Sequence, residues 1–244
     1  MQTSNVRRLG ALAFGLALVA SACGSSSSGT AASGKCSGIK LAFIGALSGD
    51  NGNLGKKMVN GAKVAIDEFN AAHPDCQVGF DTSYDSQGDP AQATPLASKI
   101  VNDASIVGLI GPGFSGESKA TMPTFEAAGL PMITPGATNA KLSTNGWKMF
   151  HRILANDDKQ APGVVTLITG TIKGTKVGVI DDASDYGKGL ADAVRAGLGA
   201  ADVANAQIDA KAADYSAAVQ AMKDKRSEER RVGKECRSRW SPYH

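Results

Sequence analysis

From residue 39 onward the chain alternates between two hydrophobic periods. Short apolar runs at 39–46, 78–84, 106–111 and 130–134 have the length and composition of buried strands. Between them lie stretches with helical spacing. In 55–71, Met58, Ala62, Ala65, Ile66 and Phe69 fall on one face. A second helix is predicted from Asp89, which can cap it. Pro90 suits its first position, Gln92 completes a capping-box pattern, and Leu96, Ile100 and Val101 form its stripe. Pro95 is the awkward residue there, as Pro123 is in a third helix over 116–128. An extended segment at 149–153 precedes a second series: helix 160–171, strand 176–182, helix 187–198, strand 203–209 and helix 214–223.

Strands linked through helices at this rhythm predict an α/β fold of doubly wound parallel sheets. A boundary near 152–156 divides it into a first lobe, 38–154, and a second, 155–225. The second lobe holds only two strands, short of a domain of roughly 100–150 residues. It is therefore expected to be incomplete, and the sequence truncated.

Two loops carry the candidate chemistry. One follows the strand at 106–110 and opens a helix; the other ends Thr134-Pro-Gly-Ala-Thr138-Asn139. In a parallel sheet both leave the carboxyl edge, where open α/β sheets bind ligands. They offer hydroxyls, N–H groups and carbonyls, but no acid, base or metal ligand. That set suits holding a small polar molecule rather than transforming it.

The two ends differ from the middle. Residues 1–22 have the form of an export signal, with Arg7 and Arg8 before an apolar stretch at 9–20 too short to span a membrane comfortably. The sequence Val19-Ala-Ser-Ala-Cys23 resembles a bacterial lipobox, with Cys23 as the lipid anchor, although Ala20 stands where Leu is usual. A Gly/Ser-rich stretch completes 23–37 and reads as a flexible tether. Residues 226–244 have no period of either kind. They resemble the conceptual translation of a DNA sequencing adapter (AGA TCG GAA GAG for Arg226 to Glu229) and are read as a non-native tail. The formal net charge of +3 includes +3 from this tail and +2 from Arg7 and Arg8. The remainder is thus −2, and the apparent basicity is no argument for nucleic-acid binding.

Of four cysteines, Cys36 and Cys76 belong to the folded part, each just before a predicted strand. Neighbouring strands would bring them together, and export permits a disulfide, which is expected over two free thiols. His73 and His151 are scattered, and no Cys/His spacing fits zinc. No metal, cofactor or catalytic residue is expected.

Several segments together resemble the substrate-binding proteins of branched-chain amino acid ABC transporters, which have the type I periplasmic binding protein fold. They are Ile44 to Gly49 with Asn60-Gly-Ala62, Asp85 with Gly88-Asp-Pro90, Ile110-Gly111 with Ser115-Gly116, Thr134 to Asn139, Phe150-His-Arg152, Asp185-Tyr-Gly187 and Asp214-Tyr-Ser216. The resemblance spans 39–223. It implies two lobes that close on an amino acid, with no chemistry performed. By position, Ser115 matches a serine whose hydroxyl binds the ligand, beside the helix start at Gly116. Gly136 and Ala137 match a loop offering a carbonyl to the ammonium, and Thr138 a threonine at the polar head. Tyr186 matches an aromatic residue that closes from the second lobe, and Leu54 a bulky residue lining the side-chain pocket. The family's acidic amine partner falls beyond this chain, and Gly88 and Phe114 occupy the positions of its disulfide. The implied partners are a small amino acid, permease subunits with their ATPases, and the membrane through the lipid anchor. The implied protein is a monomer, periplasmic or on the outer face of the cell membrane. On the residues alone, Ser115 and Thr138 read as cap and turn residues.

Other functions fit less well. Gly111-Pro-Gly-Phe-Ser-Gly116 is formally a dinucleotide-binding fingerprint, but no acidic residue ends a following strand about 20 residues on. A serine hydrolase would need glycine where Glu117 stands. The acidic pairs Asp157/Asp158 and Asp181/Asp182 read as solvated loop charges. A ligand sensor or an amide or urea binder would share the fold, and Ser115 and Thr138 do not distinguish these from an amino acid carrier.

Overall fold

The computed structural model describes Cys36 and residues 38–225. The leader at 1–22, Cys23, most of the tether and the 226–244 tail lie outside the described residues. The first series runs β1 (Lys40–Gly45), α1 (Gly52–Ala72), β2 (Gly79–Asp85), α2 (Pro90–Val101), β3 (Ile106–Ile110), α3 (Ser115–Ala128), β4 (Met132–Thr134) and β5 (Phe150–Arg152). The second runs α4 (Asp157–Thr166), a π turn (Leu167–Thr171), β6 (Val177–Asp181), α5 (Asp185–Leu198), β7 (Asp202–Gln207) and α6 (Ser216–Asp224). The first five strands form one sheet in the order β2-β1-β3-β4-β5, and β6 pairs with β7 in another. Every pairing is parallel.

Several element ends differ from the sequence pattern for identifiable reasons. β2 starts after Val78 because the Asn70 side chain takes both backbone groups of Val78, at 2.8 and 2.9 Å. β4 starts at Met132 because Leu130 closes α3. Gly129 turns left-handed (φ 63°) and Leu130 N–H donates to Phe125 O at 3.0 Å. The Asp89 cap accepts from Ala91 N–H at 2.7 Å. Pro95 and Pro123 stay inside continuous helices. Their missing hydrogen bonds cost about 3 kcal/mol each, offset by complete burial of Ala93, Ala97 and Ile100 in α2 and of Met122 and Phe125 in α3.

The lobes have separate apolar cores. The first gathers Ala42, Ile44, Ile100, Leu109, Met122, Phe125 and Met132 between the five-stranded sheet and α2 and α3. The second gathers Ala161, Val177, Val194 and Leu198. No residue belongs to both. On the first sheet, Ile133 alternates with buried Met132 and so faces away from this core, 43 % exposed. Cys36 and Cys76 are joined in a disulfide with Cα atoms 4.7 Å apart. It ties the approach to β1 to that of its neighbour β2.

Candidate functional site

In the order β2-β1-β3, the chain leaves β1 and β3 toward opposite sides. A switch point of this kind is where open α/β sheets place their ligand crevice, at the carboxyl edge. The Asp85 carboxylate at the end of β2 accepts Leu47 N–H (2.8 Å) and the Ser48 hydroxyl (2.5 Å), which fixes the loop after β1. Burial pushes its pKa up, but the Ser48 hydroxyl and the surrounding N–H groups outweigh that and hold it below the usual carboxylate value.

Glu117, on the first turn of α3, is fully buried. It accepts a short hydrogen bond from the Ser86 hydroxyl and one from Phe114 N–H at 3.2 Å. Burial lifts its carboxyl to about 7, against the opposing pull of those two donors. The loops after β2 and β3 are thereby coupled through one acid. The sequence pattern marked Glu117 only as the wrong residue for a hydrolase. An acidic third helical position facing a capping amide was the available signal.

The loops after β3 and β4 interlock beside it. The Thr134 hydroxyl donates to Pro112 O at 2.6 Å and accepts from Ala137 N–H at 2.9 Å. A Cβ on Gly136 would lie 2.5 Å from Gly113 O and 3.0 Å from Met58 Cε, so only glycine permits this approach. Ser115 is buried, and its Oγ accepts Asn139 N–H at 3.2 Å, leaving its own proton free to donate elsewhere. The amides of Ser115, Gly116 and Glu117 precede the first intrahelical bond of α3, from Ser118 N–H to Phe114 O at 3.0 Å. A helix start of this kind attracts a carboxylate.

Arg152, at the end of β5, donates to Ala137 O (3.1 Å), Asn139 O (3.0 Å) and Ser143 Oγ (2.5 Å). The Ala137 carbonyl therefore has one partner already and one lone pair to spare. Beside it, the Thr138 hydroxyl and both Asp157 carboxylate oxygens are buried with no hydrogen-bond partner in the described structure. Asp157 N–H donates to Thr138 O at 2.9 Å. Burial raises the Asp157 pKa, while the nearby Thr138 hydroxyl and Arg152 pull it back.

The expectation of solvated acidic loops fails at two residues. Asp157 is 2 % exposed, because α4 begins one turn earlier than its apolar spacing implies and draws the acid under the Thr138 loop. Asp181 is also buried, held by Arg195 (2.9 Å) and Gln207 (2.9 Å).

The structure gathers Ser115, Gly116, Gly136, Ala137 and Thr138 on these interlocked loops. Leu54 lies one turn before Met58 on α1 and is 47 % exposed; Met58 makes the loop contacts. Tyr186 stands at the start of α5, 41 % exposed, its hydroxyl accepting from Gln160 Nε2 at 3.4 Å. Gly88 and Phe114 are neighbours, since a Cβ on Gly88 would lie 2.9 Å from the Phe114 ring. Among the described residues there is no group of three or more His, Cys, Asp or Glu side chains able to hold a metal. No helix among them is long and apolar enough to cross a membrane.

Residues 38–228 match the family described as periplasmic binding protein. The leucine-specific-binding protein of Salmonella typhimurium is 38% identical over 163 residues, 66% of this chain and 43% of that protein. The Leu/Ile/Val-binding protein of Escherichia coli K12 is 34% identical over 164 residues, 66% of this chain and 44% of its own length. Among solved structures, the branched-chain amino acid transporter substrate-binding protein LivJ of Streptococcus pneumoniae, in complex with isoleucine, superposes with a TM-score of 0.68. It shows 29% identity over 76% of this chain and 53% of that one. A periplasmic binding protein type 1 from Bordetella pertussis gives 0.72 at 25% identity, over 78% and 54%. The chain thus spans somewhat under half the length of the curated relatives it matches.

Proposed function

Because the chain belongs to the periplasmic binding protein family, we propose that it is the extracytoplasmic binding component of an ABC importer, taking a small amino acid of the branched-chain class. The observation that carries this is the interlock of the α3 start with the loop after β4. It sets amide donors and the Ser115 hydroxyl on one side and loop carbonyls on the other. A zwitterion needs both. Leaving either of its charged groups unpaired in a closed cleft would cost several kcal/mol, on the scale of about 2–7 kcal/mol for an unsatisfied buried polar group.

Ser115 and the amide of Gly116 hold the carboxylate. The loop at Gly136 and Ala137 offers its carbonyls to the ammonium, and Thr138 meets the polar head. Tyr186 closes from the second lobe, and Leu54 borders the side chain of the ligand. The relatives named for leucine, or for leucine, isoleucine and valine, support this ligand class. The protein performs no chemistry. It acts as a monomer tethered through a lipid on Cys23 at the outer face of the membrane or in the periplasm, and it delivers its ligand to permease subunits driven by their ATPases.

Calorimetric titration of the intact protein with leucine, isoleucine, valine, urea and NAD tests this. Saturable binding of a branched-chain amino acid is expected. Ser115→Ala should weaken it by about 1–3 kcal/mol through loss of a hydrogen bond to a charged group. Binding of NAD with no response to any amino acid would overturn the assignment.

A further inference from the structure

The lobes share no apolar core, and outside the crossing at 153–156 a small polar cluster bridges them. Asn139, one residue past Thr138, donates from Nδ2 to Asp185 O at 2.5 Å. Asp185, one residue before Tyr186, also accepts Lys119 Nζ at 2.7 Å. Beneath them, α5 presents Gly189 to the Asn139 amide, and a Cβ there would lie 2.6 Å from Asn139 Nδ2. Gly116 faces the same corner, its Cβ position 3.7 Å from Asp185 Oδ2. The Lys119 side chain is 62% exposed and that of Asp185 35%.

We propose that Asn139, Lys119 and Asp185, seated on Gly189, form a latch that fixes how far the two lobes close and so where Tyr186 meets the Ser115–Thr138 loops. The proposal rests on binding by lobe closure. Its residues are positioning residues, since none is placed on the ligand. A polar, partly hydrated contact can open and remake without disturbing either core, as hinge closure requires. The site of Gly189 supplies the specificity. Only a hydrogen there lets the Asn139 side chain reach the first turn of α5, so the closed angle depends on a residue remote from the ligand.

The experiment uses the intact protein, with stopped-flow and calorimetric measurement of leucine, isoleucine and valine binding. Gly189→Ala should raise Kd about two- to tenfold, because the added methyl displaces the end of the Asn139 side chain and breaks its bond to α5. The increase should lie mainly in the dissociation rate. Asn139→Ala should raise Kd about two- to tenfold through loss of the bond to Asp185 O, and it also removes the Oδ1 acceptor of Lys141 N–H at 2.9 Å. In the Asn139→Ala background the added Gly189→Ala should change Kd by less than about twofold, because its clash is gone; such coupling marks residues in contact. Lys119→Gln leaves the backbone untouched and should remove the salt dependence of dissociation expected of wild type, the screening of an exposed ion pair. Thermal melts of all variants report whether folding is retained. If Gly189→Ala fails to fold, the Lys119→Gln salt profile decides. Equal effects of Gly189→Ala in both backgrounds, or a salt profile unchanged by Lys119→Gln, would overturn the latch while leaving the ligand assignment standing. Failure of wild type to bind any amino acid would instead remove the reading on which the latch rests.

Discussion

At the scale of single residues, the most consequential groups are two buried acids that the sequence pattern does not flag. Glu117 titrates at about 7 in the folded chain against an ordinary value of 4.5. The folded state therefore takes up a proton before the unfolded state as pH falls. Stability from this group is present at low pH and declines as pH rises between 4.5 and about 7. The full difference is at most about 3.5 kcal/mol, from about 1.4 kcal/mol per unit. The paired carboxylates act in the opposite sense and lower down. Asp85 and Asp181 are held below 3.8, so their contributions are lost only in more acid solution. Glu117→Gln should flatten the slope of urea midpoint against pH between 5 and 7 and leave the acid limb in place; a slope unchanged by the substitution would refute the assignment. Asp157 shows why such groups escape detection. An acidic pair after an extended segment has the composition of a solvated loop, and only the docking of the Thr138 loop over α4 buries it.

At the scale of elements, the alternation of strands and helices was legible throughout, because the apolar runs and the helical stripe of α1 obey their own periods. The two loops at the carboxyl edge were legible as well, since glycine and hydroxyl residues cluster after two apolar runs. What the pattern could not carry was the ends. Val78 is withdrawn from β2 by Asn70, and Leu130 from β4 by the close of α3. Nor could it show that Met58, rather than Leu54, packs on the loops, or that Asn139 reaches α5 across 46 residues of sequence. The disulfide acts at this scale too. It closes a segment of 40 residues containing β1 and α1. Chain-entropy reasoning gives about 4 kcal/mol for a loop of that length. Replacing both Cys36 and Cys76 with serine should lower unfolding free energy by about 2–4 kcal/mol in denaturant titration. Equal midpoints for the two proteins would show that the link contributes nothing.

At the scale of the whole molecule, the first sheet is covered on the face of Phe125 and Met132 and open at Ile133, with Val107 also 44 % exposed. Apolar surface of this kind on a folded chain marks a contact face or an aggregation risk. The 244-residue chain should therefore enhance the fluorescence of the apolar dye ANS, and the double variant Val107→Thr, Ile133→Thr should lose much of that signal. Undiminished fluorescence would locate the dye elsewhere. The two cores, by contrast, have no member in common, and this makes the lobes separable cassettes. A methylene deleted beneath α5 leaves the packing around Phe125 as it was. On the proposed function, the half assigned to the charged ends of the cargo can then stay constant while its counterpart drifts, which lets one scaffold diversify its cargo without rebuilding the grip.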